Sequence, residues 1–172
     1  PLRTDLPTRM TIRIVPATAG HVDELHAGMR EQDLREVYAV SGHLSAHEMR
    51  QHLLQNESYA ALDASGRLIC IFGCGPAPAR DSVGVPWMLG TDRLDRHIFS
   101  MCRQARAFID KWHAQYEILA NATDVENRKV ILWLRWLGFK MLYTFPAPRY
   151  PEVTFITFSK ERPCATPSAL RR

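Results

Sequence analysis

Between residues 98 and 116 apolar side chains recur as Ile98, Cys102, Ala105, Ile109, Trp112 and Tyr116, stepping by four, three, four, three and four. Arg96, Arg103, Arg106 and Lys111 fall mainly off that stripe. The spacing keeps returning to one side of an α-helix, so it predicts a long helix with one apolar face. Such a helix is stable only against a second apolar layer. The segments around it supply that layer, because they change period from helical to alternating or continuously apolar.

Along the chain, Thr11-Ile12-Arg13-Ile14-Val15 alternates as a strand and stops at Pro16. Thr18 caps a helix whose apolar face is Val22, Leu25 and Met29, and residues 30–40 continue helically through Leu34, Val37 and Tyr38. Arg30, Asp33 and Glu36 are expected on the exposed side, and Ser41-Gly42 ends the run. Ser45-Ala46-His47-Glu48 is a capping box, opening a helix that buries Met49, Leu53 and Leu54. Tyr59–Asp63 and Leu68–Gly73 read as a hairpin ended by Pro76 and Pro78, and Val83–Leu89 as a short strand leading through Gly90-Thr91-Asp92 into the long helix. Asp92 or Asp95 is its expected cap. Glu117–Asn121 is a strand, Asn127 caps a further helix closed by Leu137-Gly138-Phe139, and residues 139–145 and 153–159 are two last strands around the Pro146–Pro151 loop. The fold class is therefore α/β (α+β): a central mixed, mostly antiparallel sheet of about six to seven strands flanked by about four to five helices. Residues 1–9 form an extension, 10–160 a single domain and 161–172 a tail, with no internal repeat. Pro1 suggests a removed initiator Met, and no secretory leader is expected.

With 172 residues, 46% of them hydrophobic and 23% charged, the chain has a globular composition and no apolar run approaching a membrane span. The pI near 9.1 points toward nucleic acid only until the charge is partitioned. Residues 10–64 carry eight acids against four bases, and residues 65–160 carry thirteen bases against eight acids. The asymmetry suits docking within the fold or between copies better than binding to nucleic acid. Cys70, Cys74, Cys102 and Cys164 contain no Cys-x-x-Cys pair, and His43, His47 and His52 lack a convergent carboxylate or thiol. Reduced thiols and no metal site are the expectation.

Two segments carry a family resemblance. Ile14-Val15-Pro16-Ala17-Thr18 followed by Asp23 and Leu25, and Asn127-Arg128-Lys129 through Leu137-Gly138-Phe139, resemble the opening strand and the Asn-x-x-Ala…Gly-Phe segment of the GNAT (Gcn5-related N-acetyltransferase) fold. The order of elements over nearly all of residues 10–160 agrees. The resemblance implies acetyl-CoA as cofactor, with its pyrophosphate on backbone N–H groups where a Gly-rich loop enters the long helix. Leu89, Gly90, Thr91, Arg93, Arg96 and Asn127 would then contact it. Arg30, Asp33, Glu36, Tyr38 and Trp87 would border the acceptor side or an interaction surface. The loop Gly90-Thr91-Asp92-Arg93-Leu94-Asp95-Arg96 departs from the family's Arg/Gln-x-x-Gly-x-Gly/Ala: it lacks the second glycine and places carboxylates where phosphates would lie. The family's usual acid, a Tyr seven residues after the Asn, is here Leu134, which has no proton to give; Tyr143 or Tyr38 would have to substitute. Cys102 lies on the apolar stripe and reads as packing. No catalytic residue is assigned.

A closer resemblance is carried by Met29 through Gly42, Ile71-Phe72-Gly73, Gly84-Val85-Pro86-Trp87-Met88-Leu89-Gly90-Thr91 and Trp133 through Phe139. Together these are similar to the small GNAT-like internal virion proteins of short-tailed bacteriophages. That implies a virion-associated structural protein with a degraded acetyltransferase site. Other virion proteins or further copies of itself would be its partners, and virion and host cytoplasm its location. The alternative is an active acetyl-CoA-dependent N-acetyltransferase of unknown acceptor, in which the GNAT resemblance implies a cofactor wedged between the strands 83–89 and 117–121. Pro86-Trp87 also reads simply as a bulged or edge strand, and Trp133 and Trp136 as core anchors.

Overall fold

The alternating segments and the helical stripes assemble as layers. In the computed structural model, which describes residues 12–163, the elements are β1 (Arg13–Pro16), α1 (Ala19–Gly28), α2 (Glu31–Ser41), α3 (Ala46–Leu53), β2 (Ser58–Leu62), β3 (Leu68–Ala77), β4 (Arg80–Gly90), α4 (Leu94–His113), β5 (Ile118–Asp124), α5 (Arg128–Trp136), β6 (Lys140–Pro146) and β7 (Thr154–Glu161). The strands form one sheet in the order β1-β2-β3-β4-β5-β7-β6. Every neighbouring pair is antiparallel except β4 and β5, which run parallel. The expected mixed, mostly antiparallel α/β architecture is the one observed.

Side-chain alternation sends the two sheet faces to different helices. Ala60, Leu62, Leu68 and Ile71 meet Val22, Leu25 and Met49 of α1 and α3. Ala61, Ile69, Cys70 and Phe72, their neighbours along the same strands, meet Leu94, Met101, Ile109 and Trp112 of α4 and Leu134 of α5. Thr18 and Ser45 each cap their helix through a full capping box. Gly138, at φ +87°, ends α5 in the left-handed region that favours glycine.

The parallel pair is the important irregularity. β4 and β5 are joined only through Val83–Ile118 and Gly84–Leu119; beyond Gly84 they run on to Gly90 and Asp124 without a further pair. Gly84 sits buried at the vertex of this V, where an added Cβ would come within 2.5 Å of the Tyr116 ring and 2.9 Å of Cys74 Sγ. A side chain there would push apart the last residues that hold the strands together.

Several local expectations are corrected. The helix from Thr18 does not continue through residue 30: Met29 forms a β-bridge with Thr91, and Arg30 N donates to Gly90 O at 3.0 Å, so a new helix begins at Glu31. Tertiary pairing overrides the helical period at that point. Pro76 does not end β3, which reaches Ala77 and turns directly into β4. Trp136 is no core anchor: it is 52% exposed, with the Arg106 guanidinium 4.2 Å from its ring centre. β7 takes in Glu161, while the 1–9 extension, Cys164 and the rest of the tail lie outside the described residues.

Candidate functional site

The splay of β4 from β5 opens a cavity of about 340 Å³ that reaches across the sheet. Pro86–Leu89 form one wall and Asn121–Thr123 the other, with α2 over one end and Met101, Phe108, Trp112, Trp133 and Leu134 beneath. Across the opening Asn121 Nδ2 donates to Pro86 O at 2.9 Å, a side chain standing in for a ladder bond. Of the residues singled out from sequence, Arg30, Asp33, Glu36, Trp87, Leu89 and Asn127 line this cavity. Tyr38, Gly90, Thr91, Arg93 and Arg96 are not among its lining residues.

Glu36 organises the far end. Its Oε1 accepts from Thr123 Oγ1 at 2.9 Å, Asn127 Nδ2 at 2.9 Å and Asp124 N at 3.3 Å, which ties α2 to β5 and α5. Asn127 therefore does not cap α5 with its side chain, as its position suggested; the Glu36 carboxylate draws it away. Burial pushes the Glu36 carboxyl above its ordinary value, and the nearby Asp33 charge pushes in the same direction, against the three donated hydrogen bonds. A carboxyl raised in the folded state stabilises the fold most fully below its unfolded value of 4.5, and that contribution is lost as pH rises through the folded value. Glu36→Gln keeps an oxygen for all three donors and removes the buried charge. Its thermal midpoint at pH 7 is therefore expected to rise by up to about 2–4 °C, the effect of ~1 kcal/mol on a domain of this size. The gain should vanish near pH 4; a lower midpoint at pH 7 would refute the assignment.

The other end is shut. Asp33 is only 3% exposed, where the sequence pattern placed it on a solvated face. It receives Arg30 through two hydrogen bonds of 2.9 and 2.8 Å, and its Oδ2 accepts the Gly90 amide at 2.6 Å. The amides that follow are also engaged. Thr91 N donates to Ile69 O at 2.9 Å, Arg93 N to Thr91 Oγ1 at 3.4 Å, Leu94 N to Thr91 O at 2.9 Å and Arg96 N to Arg93 O at 3.2 Å. Neither Asp92 nor Asp95 caps α4, whose N-cap residue is Arg93. Asp95 instead pairs with Lys129 at 2.6 Å and Arg30 at 3.5 Å. Leu94, fully buried, packs on Gly90 so closely that a Cβ there would meet Leu94 Cδ2 at 2.5 Å.

This arrangement bears directly on acetyl-CoA. A pyrophosphate needs several converging, unengaged N–H groups at a helix N-terminus. Here the amides of Gly90, Thr91, Arg93, Leu94 and Arg96 donate within the chain, and the Asp92 and Asp95 carboxylates occupy the same turn. The loop does not fit a pyrophosphate. Nor does a tyrosine reach the cavity: Tyr38 OH is bonded to His43 Nδ1 at 2.9 Å, and Tyr143 is 64% exposed on the edge strand β6. Burial pushes the Cys74 thiol up to about 12 and raises Cys70 and Cys102, so the described thiols stay protonated at neutral pH. Among the described residues no group of three or more His, Cys, Asp or Glu side chains is arranged to hold a metal ion, and no helix is long and apolar enough to cross a membrane.

Sequence reasoning missed the Asp33–Gly90 contact because its partners lie far apart in the chain and it is made to a backbone amide. It also missed Thr123 and Asn121, which carry no motif of their own. The exposure expected for Arg30 and Glu36 followed from helical period alone, which does not register a second layer over α2.

No protein-family model matches the chain, and no curated protein matches its sequence. Solved structures match its fold. A GCN5-related N-acetyltransferase from Kribbella flavida aligns with a TM-score of 0.67 at 17% identity, covering 88% of this chain and 98% of that one. Ribosomal-protein-alanine N-acetyltransferase from Brucella melitensis aligns at 0.66 and 12% identity, covering 87% and 99%. Spermidine N-acetyltransferase from Vibrio cholerae, in complex with CoA and spermine, aligns at 0.66 and 10% identity, covering 87% and 95%. The fold is that of the GNAT acetyltransferases.

Proposed function

We propose that this chain is a GNAT-fold protein that has given up acetyl transfer from CoA and serves as a structural, virion-associated component. The observation that carries the first half is the Gly90 amide held by the Asp33 carboxylate at 2.6 Å, at the head of a turn in which the Thr91, Arg93, Leu94 and Arg96 amides also donate within the chain. Leu134 at the position of the family's acid, and a cavity without a tyrosine, support the same reading. The second half rests on the resemblance of Gly84–Thr91 and Trp133–Phe139 to internal virion proteins; the solved neighbours lend it nothing.

Those neighbours favour the other reading, an acetyl-CoA-dependent N-acetyltransferase, because each is an acetyltransferase and one was solved with CoA. The open β4–β5 cleft favours it too. In that reading Leu89 and Asn127 would lie beside the cofactor, which would supply the activated acetyl group. Glu36, with its raised carboxyl, would be the group to take a proton from an acceptor amine. Titration calorimetry on the full chain separates the two. No saturable heat with acetyl-CoA up to about 1 mM, a binding energy near 4 kcal/mol, is expected. Micromolar binding together with acetylation of a polyamine or peptide amine would overturn the proposal. Mass spectrometry of purified particles tests the structural half, and absence of the protein from them would count against it.

A further inference from the structure

Close-packed interiors leave few voids larger than a water molecule. The β4–β5 cavity, at about 340 Å³, is far larger. It reaches exposed residues on both sides of the sheet, Val40 and Ser41 of α2 on one and Gln104 of α4 on the other. Between them its wall is aromatic. Eight Phe and Trp side chains line it, Trp87, Phe108 and Trp133 among them, together with Met88 and Met101. An apolar cavity of about 150 Å³ holds one benzene ring, so this one has room for about two fused rings.

The polar groups of the lining narrow the chemistry. Arg30, Asp33 and Glu36 are its charged residues, and the first two pair with each other. Glu36 is left as a net negative charge, which opposes carboxylates and phosphates. It accepts all three of its hydrogen bonds on Oε1, and its Oε2 has no hydrogen-bond partner among the described residues. The side-chain donors around it, Thr123 Oγ1, Asn127 Nδ2 and Asn121 Nδ2, already donate within the chain. That end offers an acceptor, so a molecule that fits there must bring an O–H or N–H. An ammonium would bring three N–H groups and a charge into aromatic surroundings, a desolvation that one carboxylate oxygen does not offset. A neutral molecule with a single donor avoids that cost. In the floor, the Trp133 indole N–H is buried without an acceptor, an open donor that a ligand's π face or oxygen would satisfy.

We infer that the cavity binds an uncharged molecule of about two fused aromatic rings, bearing one hydroxyl or ring N–H that donates to Glu36 Oε2. The inference rests on the reading that CoA does not fill the cleft, since both would need the same space.

Equilibrium dialysis of the full chain at pH 7 tests it with 2-naphthol, its methyl ether, 2-naphthoate and 2-naphthylmethylamine, an ammonium at that pH. 2-Naphthol is expected to bind with a Kd of about 100 μM or below, ordinary for a ligand this small. The methyl ether, which has no donor, should bind at least tenfold more weakly, and the naphthoate and the ammonium more weakly than 2-naphthol. Glu36→Gln sets an amide NH2 in place of Oε2. It should weaken 2-naphthol at least tenfold without weakening the ether, a split that neither misfolding nor adsorption to exposed apolar side chains would give. An ether that matches 2-naphthol, a naphthoate that exceeds it, or no binding of 2-naphthol at about 1 mM would each overturn the inference. A tighter ammonium would overturn it too and assign the cavity to organic cations. Acetyl-CoA, dialysed separately, keeps the two readings apart. Its binding would overturn the loss of CoA, whereas failure of 2-naphthol and acetyl-CoA alike would overturn this inference alone.

Discussion

Asp33→Ala is expected to lower the free energy of unfolding by about 3–5 kcal/mol, the usual cost of breaking a buried ion pair from one side. The carboxylate is 3% exposed and serves two groups that nothing else satisfies in the same way. Arg30, whose side chain is 12% exposed, would keep only the longer 3.5 Å contact to Asp95. The Gly90 amide would lose its 2.6 Å acceptor in a place water reaches poorly. Asp33→Asn keeps an oxygen for Gly90 while leaving Arg30 unneutralised, so about half the loss is expected. Urea unfolding at pH 7 measures both, with an unchanged slope showing that only stability moved. A loss below about 1 kcal/mol for the alanine variant would mean that the carboxylate does not hold the loop. Neither variant should gain affinity for acetyl-CoA, because the amides of Thr91, Arg93, Leu94 and Arg96 remain engaged by other groups.

The same residues show what was legible in the sequence. The long helix, the capping boxes at Thr18 and Ser45, and the Gly138 terminus are local devices, and local spacing is enough to find them. The missing second glycine and Leu134 were legible because absence at a fixed spacing is also local. The V between β4 and β5 was legible only through the GNAT resemblance, which implies a cofactor wedged between strands 83–89 and 117–121; its actual closure points, such as Asn121 to Pro86, are contacts that no period encodes. Asp33 was misplaced for a related reason. A carboxylate on a polar helix face reads as solvated until another element covers it, and here Met29–Arg30 and the Gly90–Thr91 segment do so. Asn127 and Asp95 carried cap signals, but long-range charges, Glu36 and Lys129, outcompete the helix ends for them.

Leu94→Ala is expected to cost about 3 kcal/mol, within the 2–5 kcal/mol range of buried leucine truncations. Leu94 is fully buried at the start of α4, in one cluster with Phe72, Met101 and Leu134, and its Cδ2 lies against Gly90. Truncation opens a void beneath the turn that rigid neighbours on the sheet cannot fill, while the better helix propensity of alanine returns only a few tenths of a kcal/mol. Leu94→Met, which conserves volume, should cost under about 1.5 kcal/mol. The contrast tests more than packing. In the GNAT resemblance the same turn must stand open for a pyrophosphate, whereas here a leucine pins it to the core from below and Asp33 pins it from above. Hydrogen exchange at Gly90 and Thr91 should therefore accelerate in both Leu94→Ala and Asp33→Ala, beyond any change at the β2–β3 pairs. If those two amides stayed protected while global stability fell, the turn would owe its closed form to its own hydrogen bonds rather than to the two side chains that clamp it.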